Sequence, residues 1–303
     1  MISSSLKTSS PRPNPSLTDV RRALAEKSLS QFIRQAWPYT DPAAYEHNWH
    51  IDAICEHLEA VSRGQIRRLI INIPPRHMKS ISVSVAWPAW SWCQKPTPGT
   101  LLGAQTSWLF VSYAHALSIR DNVKCRRLMA SPWYQRNWGD RFELTVDQNT
   151  KIRFDNDQQG YRIATSVDGQ LTGEGGDIIV VDDPHNVREA ESETVRDSVI
   201  TWWDEAMQTR LNDPRTGAYV IIMQRVHERD LTGHILAKNH NYTHLCLPAR
   251  FESDHPHLSI RDERTVEGEL LWPKRIGKEE LEELETSLGS YGTAGQLQQR
   301  PAP

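Results

Sequence analysis

Four short stretches of this chain are apolar at every position: LII (69–71), WLFV (108–111), IIVV (178–181) and YVIIM (219–223). A strand with one face in water alternates apolar and polar residues. A strand apolar on both sides needs cover on both faces, which is the situation inside a parallel sheet flanked by helices. The intervening segments read as helices over about 18–36 (capped near Thr18 or Asp19), 49–62 (ended by Gly64), 79–93, 114–130, 191–211 and 277–287. A shorter helix over DLTGHILAK is capped by Asp230. Two short strands flank the DNDQQG turn within 150–166. Strands alternating with helices in this way predict an α/β layer fold with a mostly parallel central sheet.

In such sheets ligands bind beyond the carboxyl ends of the strands. Three of the apolar runs end in residues able to do chemistry: the first leads through a short loop to Lys79 and Ser80, the third ends in Asp182 and Asp183, and the fourth in Gln224 and Arg225. The loop after the first strand, IPPRHMKS, closes like a phosphate-binding loop. Yet Ile73 and Met78 stand where the pattern GxxxxGK[ST] has glycines. The physical requirement is a row of backbone N–H groups at a helix N-terminus. Arg76, His77, Met78, Lys79 and Ser80 provide five in succession, behind two prolines that stiffen the loop entrance.

About 100 residues later, IIVVDD has the form of a Walker B strand. There Asp182 can hold Mg²⁺ together with the Ser80 hydroxyl, and Asp183 can orient and deprotonate a water. Lys79 would neutralise phosphate charge, Gln224 would sense the terminal phosphate, and Arg225 would stabilise transition-state charge. His227, Glu228 and Asp230 lack a spacing that faces one point, so capping accounts better for Asp230.

Composition narrows the class. With 38% hydrophobic and 24% charged residues among 303, the chain is neither membrane-like nor disordered as a whole. A net charge of −3 gives no strongly basic arm or stripe, so that any contacts with DNA would be local or shared among subunits. No apolar run approaches the length of a membrane span. Cys55, Cys93, Cys125 and Cys246 are scattered without CxxC spacing, which argues against a disulfide framework or a zinc site and for a reducing compartment. The Ser/Pro-rich residues 1–17 read as a disordered tail without the apolar core of a signal peptide. The tryptophans at 87, 90, 92, 202 and 203 read as packing anchors.

Together, NWHIDAICEHLEAV, RRLIINIPPRHMKS, YAHALSIRDNVKCRRLM, LTGEGGDIIVVDDPHN, EAESETVRDSVITWWDEAMQTRL, IIMQRVHERDLTGHIL and SYGTAGQLQQRP resemble the ATPase half of a large terminase subunit, the packaging motor of tailed bacteriophages and prophages. The resemblance runs over roughly 40–303. It implies an ASCE-type P-loop NTPase over 18–250, with ATP held by Arg76 to Ser80, Mg²⁺ at Ser80 and Asp182, and the catalytic water at Asp183. It further implies Arg76 on the γ-phosphate, Gln224 and Arg225 as the coupling element, and the adenine near Trp49 and His50. Two departures stand out: Met78 replaces the glycine common before the lysine, and Asp183 replaces the usual glutamate.

The implied setting is the host cytoplasm. The implied partners are double-stranded DNA, a portal protein, a small terminase subunit and further copies in a ring. Residues 251–303 read as an extension leading towards a nuclease domain that the sequence does not contain, so nuclease activity is expected, if at all, from a separate chain. Two other readings share these residues: a helicase-like nucleic-acid remodelling ATPase, and a catalytically silent remnant or docking module.

Overall fold

The computed structural model describes residues 14–169, 173–238 and 241–302. Most of the expected N-terminal tail, and Leu171 and Thr172 of the LTGEGG stretch, lie outside the described residues. Ser16 and Leu17 do not belong to a tail. Leu17–Lys27 is a helix (α1) capped by Ser16, whose hydroxyl accepts from Asp19 N–H while the Asp19 carboxylate accepts from Ser16 N–H. This reciprocal capping box places Asp19 in the first turn and moves the cap ahead of Thr18. The single helix expected over 18–36 is two, because Ser28 takes an extended conformation that ends α1 and opens α2 (Leu29–Ala36). The freed Leu29 N–H is accepted by the buried Glu59 carboxylate of α3 (Trp49–Ser62).

Among the described residues the strands form one eight-stranded sheet. In chain order they are β1 (Arg68–Asn72), β2 (Trp108–Ser112), β3 (Leu144–Asn149), β4 (Arg153–Asn156), β5 (Tyr161–Ser166), β6 (Ile178–Asp182), β7 (Ala218–Met223) and β8 (Thr243–Cys246). Their order across the sheet is β3-β4-β5-β2-β6-β7-β1-β8. The pairs from β5 through to β8 are parallel, and β3–β4 and β4–β5 are antiparallel. Strand β3 was not anticipated: LTVDQN is polar and half-exposed, and only its pairing with β4 makes it a strand.

The continuously apolar runs have the expected cause. Leu69 and Ile71, Trp108 and Phe110, Ile178 and Val180, and Val220 and Ile222 pack into one core, on the side of α2, α3 and α4 (Trp87–Trp92). Ile70, Leu109, Val111, Ile179, Val181, Tyr219 and Ile221 point the other way. There they meet α7 (Glu193–Thr201) and α8 (Leu231–Ala237), which follow α5 (His115–Met129) and α6 (Pro132–Trp138) in the chain. At about 1.5–3 kcal/mol per fully buried aliphatic side chain, two faces together supply far more than one could.

The helix expected over 79–93 is regular only in α4. Residues Ile81–Ala86 are π-wound, with Trp87 N–H reaching back five residues to Ser82 C=O. Pro88 is the reason: it has no N–H to return to Ser84 C=O, and its ring would crowd that carbonyl in a regular helix. The 191–211 segment likewise continues past α7 as a π-turn, Trp202–Ala206, and a 3₁₀ turn, Met207–Thr209. The last helix, α9 (Lys278–Gly292), is kinked at Gly289, whose φ is 69°. Trp87, Trp90, Trp92 and Trp203 are buried anchors as read, and all four cysteines are buried and free. Among the described residues no helix is long and apolar enough to cross a membrane.

Candidate functional site

The parallel order puts β7 between β1 and β6, so the carboxyl ends of all three open on one cavity of about 380 Å³, a size suited to a small-molecule ligand. Arg76, Met78, Lys79, Ser80, Asp182, Asp183 and Gln224 line it. The end of β1 is fixed by Asn72, buried and bonded to Met223 C=O, to the Thr232 hydroxyl and to His244 Nε2. The loop then turns through two left-handed residues, Arg76 (φ 67°) and Met78 (φ 62°). The backbone conformation that a glycine would ease at 78 is therefore present, carried by a methionine whose side chain is buried in the core.

Lys79 Nζ donates to Asp183 Oδ1 at 2.6 Å, and Ser80 Oγ to Asp182 Oδ1 at 3.3 Å. Gln224 backbone N–H also donates to Asp183 Oδ1, at 3.2 Å. Asp183 reaches this position because it is itself left-handed (φ 46°), a conformation Asp tolerates better than most residues. Its N–H donates to Ile222 C=O and its C=O accepts from Tyr113 N–H, so the ends of β2 and β7 hold the turn. Burial, with the neighbouring Asp183 charge, pushes the Asp182 carboxyl up to about 7, while Lys79 opposes the shift. A cation near Asp182 would relieve that cost.

The donors fit Mg²⁺: one carboxylate oxygen and one hydroxyl, both hard oxygen ligands. Among the described residues no group of three or more His, Cys, Asp or Glu gathers as a metal cage. A cation held here would complete its shell with water and phosphate oxygens, as Mg²⁺ commonly does.

Trp49, His50, His77 and Arg225 do not line the cavity. His50 is fully buried beneath the loop. Asn48 donates to its Nδ1, so its Nε2–H donates to His77 C=O, and its ring lies 4.9 Å from that of Trp272. It braces the loop from behind and has no path to an adenine. His77 turns inward as well, its Nδ1 bonded to Pro75 C=O, so this residue presents backbone rather than side chain. Burial lowers His50 to about 3 and His77 to about 4, which keeps both neutral.

Arg225 is 4% exposed, and its Nε bonds both oxygens of Asp230 at 2.9 Å. Its Nη2 donates to the carbonyls of His227 and Glu228. This arginine organises the turn into α8 and is turned away from the cavity. Asp230 caps α8 as expected, accepting from Gly233 N–H at 3.0 Å. From the C-terminal segment, Gln299 accepts Arg225 N–H, and Trp272 joins the main core.

Sequence reasoning missed Ser84, Arg120, Asp121, Lys124 and Arg162, all of which line the cavity. A signal existed for Ser84, four residues after Ser80 on the same helix face. None existed for Arg162, which lies in β5 and reaches the site only through the packing of the sheet.

Likeness to known proteins lies in the fold. The sequence matches no family model and no curated protein. The structure aligns with the ATPase domain of the Thermus phage P74-26 large terminase, crystallised as a point mutant. The alignment has a TM-score of 0.52 and 12% identity over 84% of this chain and 93% of that one. The chain has the fold of a phage large terminase ATPase domain. That is a P-loop NTPase fold, with a mostly parallel sheet between helices. The HK97 bacteriophage large terminase aligns at a TM-score of 0.49 and 12% identity, over 76% of this chain and 45% of that one. The chain thus spans less than half the length of that relative.

Proposed function

We propose that this chain is an ATP hydrolase that drives packaging of double-stranded DNA into a phage procapsid. One observation carries the reading: an amine, a hydroxyl and two carboxylates, about 100 residues apart in sequence, meet within hydrogen-bond reach in one cavity at the carboxyl ends of β1 and β6. The ATPase proper comprises residues 18–250, and 251–303 is an extension, of which Trp272 packs into the main core.

The N–H groups of Arg76 to Ser80 cradle the phosphates, and the Arg76 side chain, exposed at the cavity mouth, reaches the γ-phosphate. Ser80 and Asp182 hold Mg²⁺, which when bound supplies charge that offsets the negative charge developing on the phosphates. Lys79 is held by Asp183 in this structure and transfers to the β- and γ-phosphate oxygens when ATP enters. That exchange frees Asp183 Oδ1 to accept the proton of the attacking water. Gln224, whose N–H stays on the same oxygen, links the state of Asp183 to β7 and α8. The partners on this reading are double-stranded DNA, a portal protein and a small terminase subunit, with the motor working as a ring in the host cytoplasm.

The test is ATP turnover and fluorescent-nucleotide binding in two variants. Lys79→Ala is expected to lose turnover with an unchanged circular dichroism spectrum. Asp183→Asn is expected to bind nucleotide and not hydrolyse it. Retained turnover in the lysine variant would overturn the site, and an undiminished rate in Asp183→Asn would move the base elsewhere.

A further inference from the structure

The two oxygens of Asp182 are treated differently. Oδ1 faces Ser80, where the cation belongs, whereas Oδ2 accepts from Ser84 Oγ at 2.8 Å. Ser84 is 3% exposed and sits in the π-wound turn. Because the residue four further on is Pro88, the Ser84 carbonyl lacks the N–H that a regular α-helix would give it. A buried carbonyl without a donor is costly. Here the donor comes from a distant strand: Arg162 of β5 gives its Nη2 to Ser84 C=O and its Nη1 to Asn122 Oδ1.

Arg162 is itself fully buried, with its guanidinium 3.9 Å from the centre of the Phe110 ring. Asn122, also fully buried, passes the connection on to Lys151 C=O in the β3–β4 turn. A buried guanidinium is expensive unless it is held and used. Among the described residues no carboxylate bonds this one, and its Nε has no partner. Its two hydrogen bonds go to Asn122 Oδ1 and to the Ser84 carbonyl.

We propose that Ser84 and Arg162 are positioning residues for the carboxylate that binds Mg²⁺. Arg162 holds the π-turn open, the turn aims the Ser84 hydroxyl at Asp182 Oδ2, and that bond presents Oδ1 to the cation. The β3–β4–β5 side of the sheet is thereby tied to the metal position. The proposal rests on reading Asp182 as the Mg²⁺ ligand. Partners that orient a metal-binding carboxylate typically change metal affinity about 10–100-fold when removed.

The experiment measures Mn²⁺ binding in the presence of ADP, from the electron paramagnetic resonance signal of free Mn²⁺, and separately ADP binding in EDTA by calorimetry. For Ser84→Ala the expected result is a loss of Mn²⁺ affinity of about tenfold or more, with metal-free ADP affinity unchanged. Ser84→Thr, which keeps the hydroxyl, is expected to restore it. Arg162→Lys, which keeps the charge but not the planar fork, is expected to show the same metal-selective loss.

Wild-type Mn²⁺ affinity in Ser84→Ala would overturn the proposal. So would equal losses of Mn²⁺ and metal-free ADP, which mark a general structural role. If the wild-type chain bound ADP neither with Mn²⁺ nor without it, the nucleotide-site reading itself would fall, a result distinct from either.

Discussion

Met78 tests whether the loop has the backbone of a phosphate-binding loop without its glycine. Its φ is 62° and its side chain is 7% exposed. Truncating a buried methionine costs about 2–5 kcal/mol in lost packing, so Met78→Ala and Met78→Gly should both be less stable than the parent. The informative quantity is the difference between the two. In an ordinary helix glycine is the worse residue by about 1 kcal/mol, because it loses more freedom on folding. At positive φ the order reverses, since alanine's Cβ crowds the backbone by about 1–2 kcal/mol, more than the entropy saved. Met78→Gly should therefore be the more stable of the pair by about 0.5–1 kcal/mol.

Glu283 provides the control, exposed and inside α9. There Glu283→Ala should exceed Glu283→Gly by about 1 kcal/mol. Urea unfolding of the four variants at one pH gives both differences from midpoints at a common slope. If Met78→Ala equals or exceeds Met78→Gly, the residue before Lys79 is not left-handed, and the physical case for a glycine-free phosphate loop fails.

Two further outcomes follow from buried charges. Arg225→Ala strands Asp230 in the interior and should cost about 3–5 kcal/mol in urea unfolding; a variant of parental stability that had lost only turnover would return Arg225 to the chemistry. Without metal, acid should destabilise the chain with a defined sign. Burial lowers His50 to about 3, His77 to about 4 and His244 to about 3, against about 6.5 when unfolded. The unfolded state then binds the extra protons, so this stability is complete above about pH 6.5 and is lost as pH falls towards the folded values, by about 1.4 kcal/mol per histidine at pH 5.5. Asp182, raised to about 7, acts oppositely: its contribution is complete below the unfolded value and lost as pH rises through about 7. Asp182→Asn should therefore make the loss between pH 7.5 and 5.5 steeper than in the parent; a shallower profile would refute the assignment of burial at Asp182.

Much of the architecture was legible because burial leaves a local trace. A strand covered on both faces must be apolar at consecutive positions, so LII, WLFV, IIVV and YVIIM announced a two-sided parallel sheet. The residues that follow them had to lie at its carboxyl edge. Asp230 was likewise readable as a cap, since a cap bonds within its own turn. Helix ends were less so. Ser28 and Pro88 broke segments whose apolar pattern ran straight through them, and the polar β3 became a strand only by pairing with β4.

The site residues divided on the same principle. Lys79, Ser80, Asp182, Asp183 and Gln224 share one cavity because each lies at a strand end or on the loop that leaves one, and these are counted along the chain. Where a side chain turns after that was decided by tertiary structure. Trp49 and His50 stood near the loop in sequence pattern, but α3 packs His50 behind it as a brace. Arg225 followed a strand end too, yet Asp230 captures it. Ser84 and Arg162 meet because β5 lies beside β2 and α5 lies across both, a juxtaposition no spacing encodes. Hydrophobic pattern is written residue by residue, whereas the partner of a buried polar group depends on which strands are neighbours, and only the folded chain sets that order.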